Sequence, residues 1–309
     1  MTLPIVTLVT PAYNQGAYLR ETMLSVLAQD YPALEYIVID DGSTDETWAV
    51  AQAVAAEYPG RVQVFTQTNS GQSATLNRGW GMARGAMLGY LSSDDRLEPD
   101  AVSGLVAALQ ASPAAAVAYG DFRIVDAQGR FIRTARAPAF DRQALLEDLV
   151  CAPGVGALFR REVFERTGGW DVQRRQVPDF EFWLRASEVG DFVHHPACVG
   201  DYRIHEGSAS FKVMPPERAD EILRVVQQHW AQRPAAPAAR VRRSTARALT
   251  LSGKNHAQSG RTGQALQRYA AALRLRPGLL LEPALWRQIV VGFARRWHFN
   301  RQMAKESSS

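Results

Sequence analysis

The chain has 309 residues, of which 46% are hydrophobic, and a formal net charge of +4. A chain of this length can hold one large α/β domain and a smaller appendage. Its two cysteines, Cys151 and Cys198, lie far apart in the sequence, which argues against a disulfide framework or a zinc site and favours a reducing compartment. The apolar N-terminus lacks a basic stretch and a cleavage site, and no apolar run is long enough to cross a bilayer, so we expect a cytoplasmic protein without a signal peptide.

Strands and helices alternate over the first third of the chain. Apolar runs bounded by turn residues predict strands at 5–10, 36–39, 62–66 and 86–91, and helical periodicity predicts helices at 18–29, 44–57, 72–83 and 99–110. Such alternation is typical of an α/β fold with a mostly parallel sheet. The loop after the first strand lacks the glycine patterns of dinucleotide-binding folds and phosphate loops, which argues against a nicotinamide dehydrogenase.

The pattern is less regular from residue 117 onwards. We predict strands at 117–119, 122–125 and 193–203, helices at 160–166, 179–188 and 215–230, and a linker rich in proline and alanine at 233–239. Residues 240–309 are predicted to be helical and hold 14 Lys/Arg against 2 Asp/Glu, a net charge of +12, which leaves −8 for the rest. We therefore expect a domain at 1–232, a linker at 233–239 and a basic helical extension at 240–309 that contacts an anionic partner.

Two of the predicted strands end in a pair of aspartates. Asp40 and Asp41 follow the strand at 36–39 and enter a Gly-Ser-Thr turn, and Asp94 and Asp95 follow the strand at 86–91. Parallel α/β sheets bind ligands at the carboxyl ends of their strands. Carboxylates there suit hydrogen bonds to a base or sugar, or a hard cation, so we predict a binding site at this edge of the sheet.

Several motifs in the first 210 residues resemble those of family 2 glycosyltransferases, which are inverting enzymes of the GT-A fold. The resemblance rests on Val6–Asn14, Ile39–Asp45, Asn69–Gly79, Leu91–Asp95, Gly168–Asp171, Pro178–Arg185 and Tyr202–Ser208. It implies an α/β, Rossmann-like nucleotide-diphospho-sugar transferase domain followed here by the helical extension. It also implies transfer of a sugar from a nucleotide-diphosphate donor, with a UDP-sugar favoured, to a hydroxyl acceptor.

The resemblance implies a donor site built from several motifs. Asp41 would accept a hydrogen bond from the base. The alternative for both Asp40 and Asp41 is that they cap the turn and the following helix, and we favour this alternative for Asp40. Asp94 would contact the sugar or the ribose. Arg78 would either supply positive charge to the donor or be a surface residue of its helix. The other residues implied to line the nucleotide are Pro11, Ala12, Tyr13, Asn69 and Asn77.

The resemblance also implies a metal ion and a general base. Asp95 would hold Mg²⁺ or Mn²⁺ against the diphosphate, where a dication stabilises the charge of the leaving group. His205 would ligate the metal, contact the diphosphate or be structural. Asp179 matches the family's base and would take the proton of the acceptor hydroxyl. Capping of its helix is the alternative for Asp179 and is compatible with that function.

The basic extension supports two interpretations. Residues 256–277 resemble one tetratricopeptide-type helical hairpin, and residues 279–299 combine apolar and aromatic side chains, including Trp286, Phe293 and Trp297, with arginines. This composition fits an anionic membrane surface or a basic helix pair with an ordinary buried face. Nucleic acid is not an expected partner because the extension lacks an interleaved aromatic platform on which RNA bases could stack.

Together the resemblance and the basic extension imply an inverting, metal-dependent glycosyltransferase of surface polysaccharide or lipid-linked glycan synthesis. Its acceptor would be a glycan or a lipid-linked glycan, and the basic extension would either attach it to the cytoplasmic face of the membrane or only pack on the body of the protein. The alternative is a non-catalytic module of the same fold that binds a nucleotide sugar without turnover.

Overall fold

The computed structural model of the protein describes residues 3–205, 207 and 213–306, with side chains as far as Ala294. The chain forms two compact units. The first comprises Met1–Arg142, Cys151–Arg174 and Pro178–His205, and the second comprises Gln143–Val150, Arg175–Val177 and Glu206–Ser309. The domain boundary that we place at residue 232 stays a prediction, although the helix that precedes it lies in the second unit.

The first unit contains an alternating series of strands and helices. Its strands are β1 Val6–Ala12, β2 Leu34–Asp40, β3 Gln63–Thr66, β4 Met87–Tyr90, β5 Arg96–Leu97, β6 Ala115–Val125, β7 Phe131–Ala135, β8 Leu158–Arg160 and β9 Asp191–Arg203. Its helices are α1 Gly16–Leu27, α2 Thr47–Glu57, α3 Gln72–Met82, α4 Ala101–Ala111, α5 Arg161–Thr167 and α6 Pro178–Val189.

These strands form one sheet in the order β3-β2-β1-β4-β8-β6-β9-β5, with β7 paired to β6. β1 is parallel to β2 and β4, and β2 is parallel to β3, which confirms the predicted parallel region. β8 is antiparallel to both β4 and β6 and joins this region to the long parallel pair β6–β9. The carboxyl ends of β1, β2 and β4 therefore lie at one edge of the sheet.

The parallel strands are buried on both faces. Every residue of β1 is buried, as are six of the seven residues of β2. Helices must therefore cover both sides of this part of the sheet. From α1, Leu19, Met23 and Val26 belong to the same hydrophobic core as Leu8 and Val38 of the strands. This packing holds the strand ends in place.

The second unit is helical. Its helices are α7 Pro216–Ala219, α8 Glu221–Ala231, α9 Ala238–Gln258, α10 Thr262–Leu275 and α11 Pro283–Glu306, with a π-helical turn at Ala144–Asp148 and a 3-10 turn at Pro277–Leu281. Helices α8, α10 and α11 all pack on α9. A short turn at Ser259–Arg261 joins α9 to α10 in a helical hairpin. Its tetratricopeptide-type character stays a prediction.

Ion pairs connect distant segments of the second unit. Arg240 and Arg243 of α9 bind Glu147 and Asp148 of the π-helical turn, with the Arg240 Nε to Glu147 Oε1 distance at 2.6 Å. Glu147 is almost fully buried. A buried carboxylate needs such partners, since a charge without them is strongly unfavourable in the interior. The arginines of α9 therefore serve packing and are not all available to an external partner.

Three local predictions differ from the structure. The two strands predicted at 117–119 and 122–125 are one strand, β6, because pairing with β9 continues through Gly120. Strands β5, β7 and β8 are missing from the prediction. The helix predicted at 215–230 is split into α7 and α8 at Asp220, whose side chain binds Ser252, His256 and Arg268.

Candidate active site

Asp41 lies immediately after β2 and is buried. Its backbone N–H donates to the carbonyl oxygen of Ala12 at 2.8 Å. Its carboxylate accepts hydrogen bonds from the backbone N–H groups of Ser70 (2.8 Å) and Gly71 (2.7 Å) and from the side chain of Gln67 (2.7 Å). Asp41 therefore ties the end of β2 to the turn that begins α3, and its contact with a base stays a prediction.

Gly42 and Asp40 shape the same corner. Gly42 has φ 72°, and a Cβ there would lie 2.9 Å from the backbone nitrogen of Asn69, so a residue with a side chain would be strained. Asp40 accepts hydrogen bonds from the backbone N–H of Ser43 (3.3 Å) and the hydroxyl of Thr66 (3.0 Å), which confirms capping of the turn. Its predicted capping of the following helix is not seen, since the backbone N–H of Thr47 at the start of α2 donates to Asp45. The exposed Asn69 thus lies directly beside the turn after β2.

The end of β1 contributes Pro11, Ala12 and Tyr13 to this edge. Ala12 is the register partner of Asp40 in the parallel ladder. Pro11 and Ala12 are buried, whereas Tyr13 is 48% exposed. The three residues predicted to line the nucleotide therefore lie next to the first aspartate pair.

Asn77 has a structural function that the sequence does not predict. Its side-chain amide donates to the carbonyl oxygen of Trp170 at 2.7 Å and accepts from the backbone N–H of Trp170 at 2.8 Å. Gly169 has φ 82°, and a Cβ there would lie 2.2 Å from Asn77 Oδ1, which explains the glycine. Asn77 therefore fixes the Gly-Gly-Trp-Asp motif to α3, and its contact with the nucleotide stays a prediction.

Arg78 is exposed on α3. Its guanidinium donates to Gln67 Oε1 at 2.7 Å and lies 5.8 Å from the centre of the Phe65 ring. Since Gln67 also binds Asp41, a chain of hydrogen bonds runs from Arg78 to the first aspartate pair. This position is compatible with both interpretations of Arg78, as a positive charge for the donor and as a surface residue of its helix.

Asp94 and Asp95 receive their partners from the end of β9. The backbone N–H of Arg203 donates to Asp95 Oδ1 at 2.8 Å, and the Arg203 guanidinium donates to the carbonyl oxygen of Asp94 at 2.8 Å. His205 Nε2 is 2.9 Å from Asp94 Oδ2. Burial raises the pKa of the Asp95 carboxyl well above its usual range, and the charge of Asp94 raises this pKa further. Asp95 is therefore a buried acid whose charge the neighbouring Arg203 compensates only in part.

Asp95 and Asp179 line the same cavity, which has a volume of about 240 Å³. Asp179 belongs to the first turn of α6, as the sequence predicts. Ser92 and the aromatic residues Tyr90 and Tyr202 line the cavity as well. The rest of its wall consists of Phe122, Ile124, Pro153, Gly154, Val155 and Gly156. The structure thus brings together the predicted metal ligand and the predicted base.

The charge of Asp179 acts on two neighbouring groups. Burial raises the pKa of the Tyr90 hydroxyl well above its usual range, and the negative charge of Asp179 raises it further. Burial and Asp179 raise the pKa of the Cys151 thiol in the same way. Tyr90 and Cys151 therefore keep their protons at neutral pH.

The donor set at this cavity fits a hard divalent cation that is shared with a substrate. Within the described part of the chain, no group of three or more His, Cys, Asp or Glu side chains could enclose a metal. Nucleotide sites bind Mg²⁺ through one or two carboxylates, with phosphates and water completing the coordination. Asp95 could be such a carboxylate, since a bound cation would compensate its buried charge. His205 adjoins the aspartate pair through Asp94, and its predicted contact with a metal stays a prediction.

Sequence reasoning misses Glu221, the first residue of α8. Glu221 is 3% exposed, and its carboxylate accepts hydrogen bonds from the backbone N–H groups of Arg175, Gln176 and Val177 at 2.7 to 3.1 Å. The three N–H donors lie 44 to 46 residues before Glu221 in the sequence, so no local sequence pattern could reveal these hydrogen bonds. Two further residues of the predicted loop motif, Glu206 and Ser208, lie outside the described residues.

Comparison with known families agrees with this geometry. Residues 7–168 match the family model described as Glycosyl transferase family 2. The chain belongs to this family. Over 68% of its length it is 31% identical to chondroitin synthase from Escherichia coli, and over 67% it is 32% identical to the O-antigen biosynthesis protein RfbC from Myxococcus xanthus. The chain spans 30% and 16% of these relatives, less than a third of either.

Solved structures share the fold. S. aureus TarS 1–349 in complex with UDP-GlcNAc superposes with a TM-score of 0.68 and 17% identity, over 94% of this chain and 89% of that chain. The mannosyltransferase PcManGT from Pyrobaculum calidifontis, in complex with GDP-Man and Mn²⁺, superposes with a TM-score of 0.60 and 19% identity, over 96% of this chain and 88% of that chain. The predicted GT-A fold with a helical C-terminal region is thus confirmed. Among the described residues, no helix combines the length and apolarity needed to cross a membrane.

Proposed function

We propose that this protein is an inverting glycosyltransferase that moves a sugar from a nucleotide-diphosphate donor to a hydroxyl group. The observation that carries the proposal is the position of Asp95 and Asp179 on one cavity. Membership of glycosyl transferase family 2 supports it. One carboxylate is needed beside the leaving diphosphate and another beside the attacking hydroxyl, and this cavity offers both.

Asp179 is the general base of the proposed reaction. The acceptor oxygen attacks the anomeric carbon, the bond from that carbon to the diphosphate oxygen breaks, and the hydroxyl proton passes to the carboxylate of Asp179. A single displacement of this kind inverts the anomeric configuration. Tyr90 keeps its proton, so it does not compete with Asp179 for this function.

The donor occupies the edge of the sheet formed by the ends of β1, β2 and β4. Pro11, Ala12, Tyr13 and Asp41 line the base, and Asp94 contacts the sugar or the ribose. Asn69, Asn77 and Arg78 complete the proposed donor site. UDP-sugars are the favoured donors, and the complexes of S. aureus TarS with UDP and UDP-GlcNAc support this choice.

Asp95, with His205 beside it, would hold Mg²⁺ or Mn²⁺. A dication there supplies positive charge to the leaving nucleoside diphosphate. The Mn²⁺ in the PcManGT complex supports this cofactor. Arg203 keeps the Asp95 side chain oriented through its backbone N–H.

The proposed acceptor is a glycan or a lipid-linked glycan of a surface polysaccharide pathway. The names of the relatives, chondroitin synthase and O-antigen biosynthesis protein, support this process. The aromatic walls of the cavity, Tyr90, Phe122 and Tyr202, suit the apolar face of a sugar ring.

A screen of UDP-, dTDP- and GDP-sugars with Mn²⁺ or EDTA tests the proposal. We expect a UDP-sugar to raise the melting temperature only in the presence of Mn²⁺, and NMR to detect slow hydrolysis of this donor with inverted configuration. Donor binding without hydrolysis or transfer would indicate a non-catalytic binding module instead. Binding of none of the donors would reject the proposed function.

A further inference from the structure

An exposed apolar patch lies where α11 begins. It consists of Leu280 and Leu281 in the 3-10 turn and Trp286 and Val290 in α11, which are 48%, 88%, 51% and 64% exposed. Trp286 Nε1 donates to the carbonyl oxygen of Leu280 at 2.9 Å, which holds the indole ring against the turn. Val290 follows Trp286 by one helical turn, so the two lie on one face of α11. The four side chains therefore form one surface.

The packing of the second unit does not account for this patch. The neighbouring Leu279 and Leu285 are fully buried, so the same short segment already supplies apolar side chains to the core. Leu281 in particular leaves nearly all of its surface in water. Contiguous exposed apolar side chains on a soluble surface mark an interaction site.

Charge identifies the partner. Between Glu221 and Glu306 the sequence contains one acid, Glu282, and its carboxylate is paired with Arg247 and Arg276. Arg274 and Arg287, at either side of the patch in the sequence, are exposed and form no ion pair with any described residue. The segment that carries the apolar side chains is therefore basic, and its one carboxylate is compensated.

We propose that the patch Leu280–Leu281–Trp286–Val290 binds the surface of an anionic lipid bilayer. The apolar side chains enter the boundary between headgroups and acyl chains, and Arg274 and Arg287 contact the anionic headgroups. Of the three aromatic anchors expected from the sequence, Trp286 is exposed and Phe293 is half-buried, while the side chain of Trp297 lies outside the described residues. This inference is independent of the proposed catalytic function.

Co-sedimentation of the full chain with phosphatidylglycerol/phosphatidylcholine vesicles tests the proposal. We expect binding that weakens at high salt and is lost on pure phosphatidylcholine vesicles. The double variant Leu281→Asn/Val290→Asn should weaken binding by about tenfold or more, because two exposed apolar side chains no longer enter the interface. Arg274→Gln/Arg287→Gln should weaken binding and reduce its dependence on salt.

Phe131→Asn is the matched control, since Phe131 is 62% exposed on β7 of the first unit. This variant should bind vesicles like the wild type, and UDP-sugar binding should be unchanged in all variants. Equal sedimentation of wild type and the Leu281/Val290 variant, or no sedimentation of either, would overturn the proposal. So would a wild-type oligomer in analytical ultracentrifugation that this variant dissociates, because the patch would then bind a second copy of the chain.

Discussion

Removal of the Glu221 carboxylate should destabilise the second unit strongly. This buried carboxylate is the acceptor for three backbone N–H groups, those of Arg175, Gln176 and Val177. A hydrogen bond to a charged group contributes about 1.5–3 kcal/mol, and a buried donor left without a partner costs about 1–3 kcal/mol. Since these effects are not additive, we expect Glu221→Ala to lower the free energy of unfolding by about 3–5 kcal/mol.

Glu221→Gln should have a smaller effect because it keeps one carbonyl oxygen. Oε1 is the shared acceptor of all three N–H groups, whereas Oε2 binds Arg175 at 3.0 Å. The amide retains the first oxygen but loses the charge and turns an NH₂ group towards Arg175. We expect a loss of about 1–2 kcal/mol. Since Pro178 and Asp179 follow Val177 directly in the sequence, we also expect kcat to fall by about 10- to 100-fold through misplacement of the base, with little change in donor KM.

Urea unfolding followed by tryptophan fluorescence measures these changes. Glu217→Ala is the matched control, because Glu217 is an exposed glutamate four residues earlier, and it should stay within about 0.5 kcal/mol of the wild type. If Glu221→Ala were as stable as Glu217→Ala, the hydrogen bonds to residues 175–177 would not hold this segment, and the reasoning would be refuted.

Three further predictions concern other carboxylates. Asp95→Asn should abolish the effect of Mn²⁺ on donor affinity in calorimetry. The metal-free variant should be at least as stable as the wild type, because burial disfavours the charged form of Asp95. A destabilised metal-free variant would contradict this prediction. Asp41→Ala should raise the donor Kd and lower the free energy of unfolding by about 2–4 kcal/mol, since it removes the acceptor for three hydrogen bonds from the turn before α3. If both values were unchanged, Asp41 would neither hold this turn nor contribute to the donor site. Burial alone raises the pKa of Asp220, but hydrogen bonds from Arg268, Ser252 and His256 outweigh it and lower the pKa to about 2. The stabilisation by Asp220 is therefore present above about pH 4 and is lost as the pH falls towards 2. In urea titrations, the difference in free energy of unfolding between wild type and Asp220→Asn should narrow over that range. A constant difference would show that the Asp220 carboxylate does not supply this stabilisation.

The sequence was sufficient for the parts of the fold that depend on local signals. Apolar runs followed by aspartate pairs at residues 40–41 and 94–95 predicted strand ends, and the structure confirms both positions. The alternation of strands and helices predicted the parallel region, because this pattern arises from β-α-β connections. Asp179 was likewise predicted at the start of a helix, where it lies in α6.

The features that the sequence did not reveal depend on contacts between distant residues. β8 has only three residues and exists because it pairs with β4 and β6. The Asn77 contact with Trp170 spans 93 residues, and the contact between Arg203 and Asp95 spans 108. Propensity and periodicity carry no information on such contacts. The break between α7 and α8 has the same origin, since Asp220 binds side chains of α9 and α10.

The proposed function depends most directly on Asp179 as the base. The decisive measurement is the turnover of Asp179→Asn with the best donor, alongside calorimetric donor binding and the exposed-site control Glu162→Gln. We predict that turnover falls by a factor of about 10² to 10⁴ while the donor Kd changes little, because the amide keeps the shape of the side chain but cannot accept the proton. The control should retain wild-type turnover. Near-normal turnover of Asp179→Asn would contradict the account, since the cavity would then be using another group as the base.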